Sequence, residues 1–146
     1  MILWRISKHL DLNGRGGITF AGRWHQAGTQ AVYMAESPAG ALLEACAHTC
    51  ANDIPPSYSL LKVVCPTISC DEIDRNRLTA DWTRSVEETQ ALGSAWLKKG
   101  RAALLRVPSA LVPESHNYLL NPLHADAGLF QIEKSYFYPF DARLKK

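Results

Sequence analysis

The chain has 146 residues, of which 47% are hydrophobic and 21% are charged, and its formal net charge is +2. This composition predicts a single globular domain over residues 1–146 and excludes a disordered chain. The scattered basic residues disfavour direct nucleic-acid binding, which needs a concentrated basic face. The sequence has no apolar stretch of roughly 20 residues and no signal-peptide core after Met1, so we expect a soluble, cytoplasmic protein.

The predicted elements indicate a mixed α+β domain. In chain order they are strands at 2–6, 17–21 and 31–35, a helix at 38–49, a strand at 58–64, a helix at 86–99, and strands at 102–107 and 130–138. Ser37 suits the cap of the first helix and Pro38 its first position. A capping box opens the second helix at Ser85–Glu88, and Gly100 ends it. The glycine-rich segment 13–17 is a predicted turn that matches neither a P-loop nor a dinucleotide fingerprint.

The four cysteines lie at C-x3-C and C-x4-C spacings, at positions 46, 50, 65 and 70. Zinc sites usually have tighter C-x2-C pairs, so these spacings favour free cysteines in a reducing compartment over a metal site or disulfides. We expect no bound metal. A zinc enzyme built on Cys46, His48 and Cys50 is a distant alternative.

Glu44 is the only charged residue from Pro38 to Ala47. The apolar residues around it predict a largely buried helix, in which a carboxylate is costly unless it is paired, hydrogen-bonded or facing a cleft. Small neighbours one helical turn away leave room for a groove. A functional carboxylate and a glutamate on the polar edge of the helix are equally well supported by this pattern.

Two further segments in the first half of the chain could carry chemistry. Arg23, within Gly22-Arg23-Trp24-His25, could hold a phosphate or diphosphate through its planar guanidinium, or could be a surface arginine stacked on Trp24. Tyr33, in a buried-type strand, could stack on a flat ligand or simply pack with its hydroxyl satisfied.

The second half offers weaker candidates. Ser109 follows a buried strand without the G-x-S-x-G elbow of an activated nucleophile, so it is a turn residue or a hydroxyl donor to a ligand. The segment 117–124 is polar and aromatic and includes Asn117, Asn121 and His124. We interpret it as a loop of the kind that lines sites, although asparagine before proline is also ordinary turn chemistry.

The order of these motifs resembles the RES domain over nearly the whole chain, from Trp4 to the last strand. The motifs are Leu3-Trp4-Arg5-Ile6, Gly22-Arg23-Trp24-His25, Val32-Tyr33-Met34-Ala35-Glu36-Ser37-Pro38 leading into Leu42-Leu43-Glu44, Val107-Pro108-Ser109, and Asn117-Tyr118-Leu119-Leu120-Asn121-Pro122-Leu123-His124. The stretch 71–87 carries no matching motif.

The resemblance implies a fold similar to the catalytic domains of ADP-ribosylating toxins, with a split, mostly antiparallel β core surrounded by helices. It implies a toxin that depletes NAD⁺ by phosphorolysis or hydrolysis of the nicotinamide–ribose bond. NAD⁺ is then the substrate, phosphate is a candidate co-substrate, and no cofactor is expected. The implied partner is an Xre-like helix-turn-helix antitoxin that occludes the active site in a hetero-oligomer, within which the toxin could form a homodimer.

The resemblance also implies roles for four catalytic residues. Arg23 would bind the diphosphate and Tyr33 would lie against the nicotinamide. Glu44 would stabilise the oxocarbenium-like ribose or hold a ribose hydroxyl, an interaction that strengthens in the transition state. Ser109 would contact a phosphate or position the nucleophile.

Arg5, Asn121 and His124 are expected as additional NAD⁺ contacts. Because nicotinamide leaves from a cationic state, one key carboxylate suffices and no strong general acid is needed. Two alternatives stay open: an ADP-ribosyltransferase that modifies a protein, and a non-catalytic module that only binds the antitoxin.

Overall fold

The computed structural model describes residues 1–145, and the fold within them is α+β, as expected. In chain order the elements are β1 (Ile2–Ile6), α1 (Gly16–Thr19), β2 (Val32–Ala35), α2 (Pro38–His48), β3 (Ser57–Val64), β4 (Cys70–Glu72), α3 (Val86–Lys99), β5 (Leu104–Pro108), β6 (His116–Leu120) and β7 (Gln131–Pro139). No helix among these residues has the length and apolar character needed to cross a membrane.

The seven described strands form one sheet in the order β4-β5-β6-β2-β1-β3-β7. Neighbouring strands are antiparallel except for the parallel pair β4 and β5. Within it, β1 and β2 are joined only by the pair Trp4 and Ala35, whereas five residue pairs join β1 to β3 and four join β2 to β6. The two halves of the sheet therefore diverge between β1 and β2, which gives the split β core that the family resemblance implies.

Both longer helices cover the same face of the sheet. Successive strand residues point to opposite faces, so Leu104 packs in one core cluster while Leu105 packs in another with Trp24 and with Leu97 of α3. A third, smaller cluster joins Ala41 of α2 to neighbours on β1, β2 and β3. Helices α2 and α3 thus flank a strip of sheet on this face, which we call the helical face.

The strand predicted at 17–21 is wrong, because residues 17–19 belong to the short helix α1 and residues 20–21 form no strand. The N–H of Gly17 donates to the carbonyl of Gly14, whose φ of +69° begins the turn. A Cβ on Gly17 would lie 2.5 Å from the carbonyl oxygen of Thr29, so the chain approaches itself too closely here for an ordinary strand residue. Ile18 and Phe20, which suggested a strand, are exposed.

The sheet also contains two strands, β4 and β6, that the sequence did not predict. Residues 116–120 form β6, in the middle of the sheet between β5 and β2, so the interpretation of the segment 117–124 as a loop is wrong for its first half. Asn117 makes this strand hard to predict, because a polar residue occupies a position where a core strand would carry an apolar one. The three residues of β4 are all exposed and gave no hydrophobic signal.

The predicted helices α2 and α3 are confirmed, except for the cap at the start of α3. Ser37 caps α2 by accepting the N–H of Gly40 at 2.9 Å, and Gly100 ends α3 with a φ of +60°. Ser85 makes no side-chain capping bond, so the capping box is wrong. The carboxylate of Glu88 instead accepts the N–H and the hydroxyl of Thr79.

Helix α2 is less buried than its composition suggested. Of its described residues only Ala41 is buried, and Leu43 is 46% exposed. The helix lies on the helical face over β1 and β2 with one edge inward and the rest open, because small alanine and glycine residues let it sit close to the sheet while covering little of it. The prediction of a largely buried helix is wrong, although the carboxylate it carries is held as described below.

Candidate active site

The carboxylate of Glu44 is held by two donors from distant parts of the chain. Its Oε1 accepts a hydrogen bond from the hydroxyl of Ser109 and another from the side-chain amide of Asn117, both at 2.8 Å. Ser109 directly follows β5, and Asn117 is the second residue of β6, opposite Val107 and Ala35. The fold therefore brings Glu44 and Ser109, two of the predicted catalytic residues, into direct contact.

The second oxygen of Glu44 is left available. Among residues 1–145, Oε2 accepts no hydrogen bond, and its ionic neighbour is Nε2 of His48, one helical turn later, at 3.8 Å. The Glu44 side chain is 24% exposed, so this oxygen can be reached from solvent. A carboxylate with one oxygen fixed and the other accessible is oriented in advance to meet a positive charge or a hydroxyl group.

Ser109 is an orienting group here rather than an activated nucleophile. Its hydroxyl proton points to Glu44, and its Oγ accepts the backbone N–H groups of Leu111 and Val112, each at 3.2 Å. The side chain is buried, and no histidine in the described chain hydrogen-bonds to it. It thus couples the carboxylate of Glu44 to the loop after β5.

The hydroxyl of Tyr33 belongs to a buried hydrogen-bond chain. It accepts the N–H of Trp24 at 3.0 Å and lies 2.7 Å from Nδ1 of His25, whose Nε2 lies 3.2 Å from the carbonyl of Gly17. Because a carbonyl can only accept, Nε2 carries the imidazole proton, and the Tyr33 hydroxyl donates to Nδ1. Burial raises the pKa of Tyr33 above its ordinary value, against the opposing effect of the Trp24 N–H.

The phenol of Tyr33 therefore stays neutral near physiological pH, and its hydroxyl is committed to structure. Its ring is half-buried on the helical face, where the strand register sets it diagonally across from Asn117. A Cβ on Gly22 would lie 2.4 Å from the Tyr33 oxygen, which explains the glycine before Arg23. What Tyr33 offers to a ligand at this site is the face or edge of its ring.

Arg23 lies on the α3 side of the helical face. Its Nη1 donates to the carbonyl of Thr83 at 3.0 Å, and its own carbonyl accepts the hydroxyl of Thr89 from α3 at 2.6 Å. The neighbouring Trp24 is buried and packs against Trp82, with ring centroids 6.2 Å apart. Arg23 is thus held through both its backbone carbonyl and Nη1, while the other guanidinium nitrogens of its half-buried side chain have no hydrogen-bond partner among residues 1–145.

The same face carries no candidate metal centre. No group of three or more histidine, cysteine, aspartate or glutamate side chains within residues 1–145 is placed to share a metal ion. Cys46, His48 and Cys50, the basis of the zinc alternative, form no such group. The four cysteines, all in the described part of the chain, are free.

Comparison with known proteins identifies the family. The RES domain matches residues 2–141. The chain belongs to the RES domain family. Over 99% of both chains it is 43% identical to "Toxin Res" of Pseudomonas putida, and over 97% of this chain and 94% of the relative it is 32% identical to "Prs ADP-ribosylating toxin" of a Sphingobium species. The predicted membership of the RES toxins is confirmed.

The RES fold is also recognisable in a solved structure. The crystal structure of the M. tuberculosis MbcT–MbcA toxin–antitoxin complex contains a chain that superposes with a TM-score of 0.68, covering 94% of this chain and 84% of that one. The sequence identity is 19%, so this likeness is one of fold.

Arg5 of this RES domain lies at the split in the sheet. Its Nη1 donates to the carbonyl of Tyr33 at 3.1 Å, across the gap where β1 and β2 no longer pair. Its Nε is buried and has no partner within the described chain. Burial lowers the pKa of Arg5, and the charge of Asp11 opposes that shift. Arg5 therefore closes the split beside Tyr33, and its contact with NAD⁺ stays a prediction.

Asn121 and His124 are not brought to Glu44. Asn121 directly follows β6 and lies four residues after Asn117, which is about 13 Å along a strand. Its side chain donates to the carbonyl of Leu97 at 3.3 Å and accepts the N–H of Leu123 at 3.1 Å. Nδ1 of His124 accepts the N–H of Asp126 at 3.0 Å. Both side chains organise the turn after β6, and a role in NAD⁺ binding stays a prediction.

The residue that sequence reasoning left out of the site is Asn117. It lies in the segment 117–124, where the sequence predicts a ligand contact for Asn121 and assigns Asn117 no role. The available signal was the alternation of Asn117, Leu119 and Asn121 on one face of a strand. Recognising that strand would have placed Asn117 at the end that faces Ser109.

Proposed function

We propose that this RES domain is the toxin of a toxin–antitoxin pair and depletes NAD⁺ by breaking the bond between nicotinamide and ribose. The observation that carries the proposal is the carboxylate of Glu44, with one oxygen fixed by Ser109 and Asn117 and the other accessible. Family membership and the toxin names of the relatives support the choice of substrate.

Breaking the nicotinamide–ribose bond requires a negative charge near the ribose more than it requires a proton donor. When the C1′–N1 bond of NAD⁺ breaks, its electron pair goes to the pyridinium nitrogen, which leaves as neutral nicotinamide without needing a proton. The ribose then carries oxocarbenium-like positive charge. Oε2 of Glu44 would stabilise that charge or hold a ribose hydroxyl, and the two donors on Oε1 would keep it in place without reorganisation.

The other predicted residues would bind the rest of the substrate. The ring of Tyr33 would lie against the nicotinamide, since its hydroxyl is already committed to Trp24 and His25. Arg23 would bind the diphosphate through the donors that Thr83 does not use, and Arg5 would contribute positive charge from the split.

The acceptor would be phosphate or water. In phosphorolysis a phosphate oxygen attacks C1′ as nicotinamide leaves, which gives ADP-ribose 1″-phosphate. In hydrolysis a water oxygen attacks, a proton is released, and ADP-ribose forms. Neither route requires a cofactor.

The test is nicotinamide release from NAD⁺ by the purified protein, with and without phosphate, beside Glu44→Gln. Glutamine keeps the size of the side chain and removes its charge. We expect release by the wild type and a loss of at least about 100-fold in the variant, the scale found when one electrostatic group is removed. An equally active Glu44→Gln protein with a native unfolding temperature would contradict the proposal.

Transfer of ADP-ribose to a protein is the second candidate. It is favoured by the 32% identical Sphingobium relative, which is named an ADP-ribosylating toxin. Incubation with labelled NAD⁺ and cell extract separates the two. Label on a protein band would support transfer, whereas label only in small molecules would support NAD⁺ depletion.

We further propose that an Xre-like antitoxin covers this site, in the cytoplasm where the free cysteines would stay reduced. Exposed apolar side chains surround Glu44: Leu43 beside it on α2, and Leu111 and Val112 in the loop that Ser109 anchors, are 46%, 45% and 40% exposed. Exposed apolar groups around a polar site favour a protein partner. Nicotinamide release should stop when the antitoxin is added and return when Leu43→Asp weakens the contact.

A further inference from the structure

Strand β7 is the longer of the two edge strands of the sheet. It has nine residues and pairs on one side, with β3, whereas β4 at the other edge has three residues. An unpaired edge exposes a row of backbone N–H and C=O groups that can pair with a strand of another chain. Short or charged edge strands avoid such pairing, and β4 is both, since it contains Asp71 and Glu72. The outer edge of β7 is therefore the place where a further strand can join the sheet.

The backbone groups of Ser135 and Phe137 point away from β3. The N–H of Phe140 donates to the carbonyl of Pro56, which lies directly opposite it in the register of β3 and β7. Hydrogen-bonded pairs recur at every second residue of an antiparallel ladder, so the even-numbered residues from 134 to 138 bond to β3 and the odd-numbered ones face outward. Among residues 1–145, no backbone group outside the sheet bonds to Ser135 or Phe137. Two N–H groups and two carbonyls are thus available at this edge.

Both ends of this free edge are blocked. At one end Glu133 is the extra residue of a bulge, where the register shifts after Lys62 of β3. At the other end Pro139 occupies an outward-facing position and has no N–H to donate. Bulges and prolines both stop pairing at the edge of a sheet. The residues that remain free to pair are 134–138, which we call the open segment.

The open segment carries aromatic side chains on both faces of the sheet. Tyr136 and Tyr138 stack on the helical face, with ring centroids 6.1 Å apart and planes 8° from parallel. Nζ of Lys134 lies 4.8 Å from the ring centroid of Tyr136. Phe137 points to the opposite face and is 72% exposed. An edge with exposed aromatic groups and free backbone donors and acceptors favours the addition of a strand.

We propose that the open segment pairs with the same segment of a second copy of this chain, antiparallel and about a two-fold axis at Tyr136. This register sets Ser135 opposite Phe137 of the second copy, so the outward-facing groups form four hydrogen bonds. It also sets Lys134 opposite Tyr138 of the second copy, so no two lysines oppose each other. A shift of two residues in either direction would bring the bulge or the proline into the ladder.

The size and place of this interface predict how the dimer behaves. Five residues from each copy are far fewer than the roughly 20–30 a side of a standard stable interface, so the dimer should dissociate on dilution. Strands β3 and β1 separate β7 from β2, which carries Tyr33, and the pairing therefore leaves Tyr33 and Glu44 uncovered. The proposal does not depend on the cleavage of NAD⁺.

The first experiment is sedimentation equilibrium of the purified protein from about 1 to 300 μM, the range in which a weak dimer forms. The mass should rise from 16.2 kDa toward twice that value. Phe137→Glu should stay monomeric, because its carboxylates would face each other and Glu133 across the axis. The matched control is Phe20→Glu, in which the phenylalanine is 73% exposed, and it should dimerise as wild type does.

Ser135→Pro separates strand pairing from simple contact between aromatic side chains. Proline removes an N–H that faces outward and keeps the bonds of β7 to β3, so the unfolding temperature should stay near that of wild type while the dimer weakens at least about tenfold. A wild type that stays monomeric throughout would overturn the proposal. So would a folded Ser135→Pro or Phe137→Glu protein that dimerises as wild type does.

The second experiment tests the register by disulfide formation with oxidised glutathione, at a concentration where the wild type is dimeric. Residues opposite each other in a pair without hydrogen bonds have Cα atoms about 4.5 Å apart, which a disulfide can span, so Tyr136→Cys should cross-link to itself. Lys134→Cys is the control, because in this register it lies about 13 Å from its counterpart. Peptide mapping separates these links from reactions of the exposed Cys50 and Cys70. Equal cross-linking of the two variants, or none in Tyr136→Cys, would contradict the register.

Discussion

Replacing Asn117 by alanine removes one of the two donors that hold Glu44 and little else. Within residues 1–145, the Asn117 side chain makes a single hydrogen bond, from Nδ2 to Oε1 of Glu44 at 2.8 Å. Ser109 is less suitable for this test, because its hydroxyl oxygen also accepts the N–H groups of Leu111 and Val112. A change at Asn117 therefore tests what the fixed orientation of the Glu44 carboxylate contributes to catalysis, without disturbing other hydrogen bonds.

The expected loss follows from the strength of that bond. A hydrogen bond to a charged group contributes about 1.5–3 kcal/mol, which corresponds to about 10- to 150-fold in rate if the bond is needed in the transition state. Because Asn117 does not touch the leaving group in the proposed geometry, kcat for nicotinamide release should fall while KM changes little. Ser109→Ala combined with Asn117→Ala should lose less than the product of the two single losses, since both donors act on one oxygen.

The assay is steady-state nicotinamide release, with thermal unfolding measured on the same samples. Asn52→Ala, an exposed asparagine far along the chain, is the matched control and should behave as wild type. Asn117→Ser, which can still donate, should recover part of the loss. An Asn117→Ala protein with wild-type kcat would refute the reasoning, as would losses that multiply fully in the double variant.

Four further predictions concern stability and reactivity. Tyr33→Phe leaves the Trp24 N–H and the His25 ring without their partner, so the free energy of unfolding should fall by about 1–3 kcal/mol in urea titrations, while nicotinamide release persists if the ring is what contacts substrate. Because burial raises the pKa of Tyr33, the unfolded chain loses this proton first, so wild-type stability should decline as pH rises above the ordinary value of 10.0, and the decline should be shallower in Tyr33→Phe. In Gly93→Ala the new Cβ would lie 1.7 Å from the Trp24 carbonyl oxygen, so calorimetry should show about 1–3 kcal/mol of destabilisation. Gly16→Ala is the control: its Cβ meets no described atom within 4 Å, so this variant should unfold at nearly the same temperature as wild type. Burial raises the pKa of Cys65 to about 11, so native-state alkylation followed by mass spectrometry should label the exposed Cys50 and Cys70 and leave Cys65 unmodified; rapid labelling of Cys65 would argue against the packing of the core around it.

The sequence predicted the elements whose signals are local. The cap at Ser37, the proline after it and the left-handed Gly100 act within a few residues, so both longer helices were found with accurate ends. The apolar strands β1, β3 and β5 were found for the same reason. The strand predicted at 17–21 was wrong because the apolar residues there are exposed. Gly17 instead allows the chain to approach Thr29 closely, a contact that depends on the folded loop.

The sequence predicted which residues form the site better than it predicted how they are arranged. Arg23, Tyr33, Glu44 and Ser109 were singled out by residue type and by the order of the family motifs, and Glu44 does contact Ser109. Asn117, the second donor to Glu44, was not predicted because the contacts that bring Ser109 and Asn117 to Glu44 span 65 and 73 positions of the chain and depend on where β6 pairs between β5 and β2. Such pairing depends on strand register, which a single sequence does not specify for a strand with a polar residue on its core face.

The split in the sheet explains why these few polar residues can act together. A continuous sheet would pair the carbonyl of Tyr33 with β1, but here β1 and β2 share one residue pair and the side chain of Arg5 donates to that carbonyl instead. The strip of sheet between α2 and α3 then presents Tyr33 and Asn117, while Glu44 and Arg23 approach from opposite sides. A cationic sugar and an anionic diphosphate, joined in one molecule, match a site with a carboxylate on one side and a guanidinium on the other. Exchanging these charges through Glu44→Arg and Arg23→Glu should therefore abolish nicotinamide release, because each end of the substrate would face a like charge.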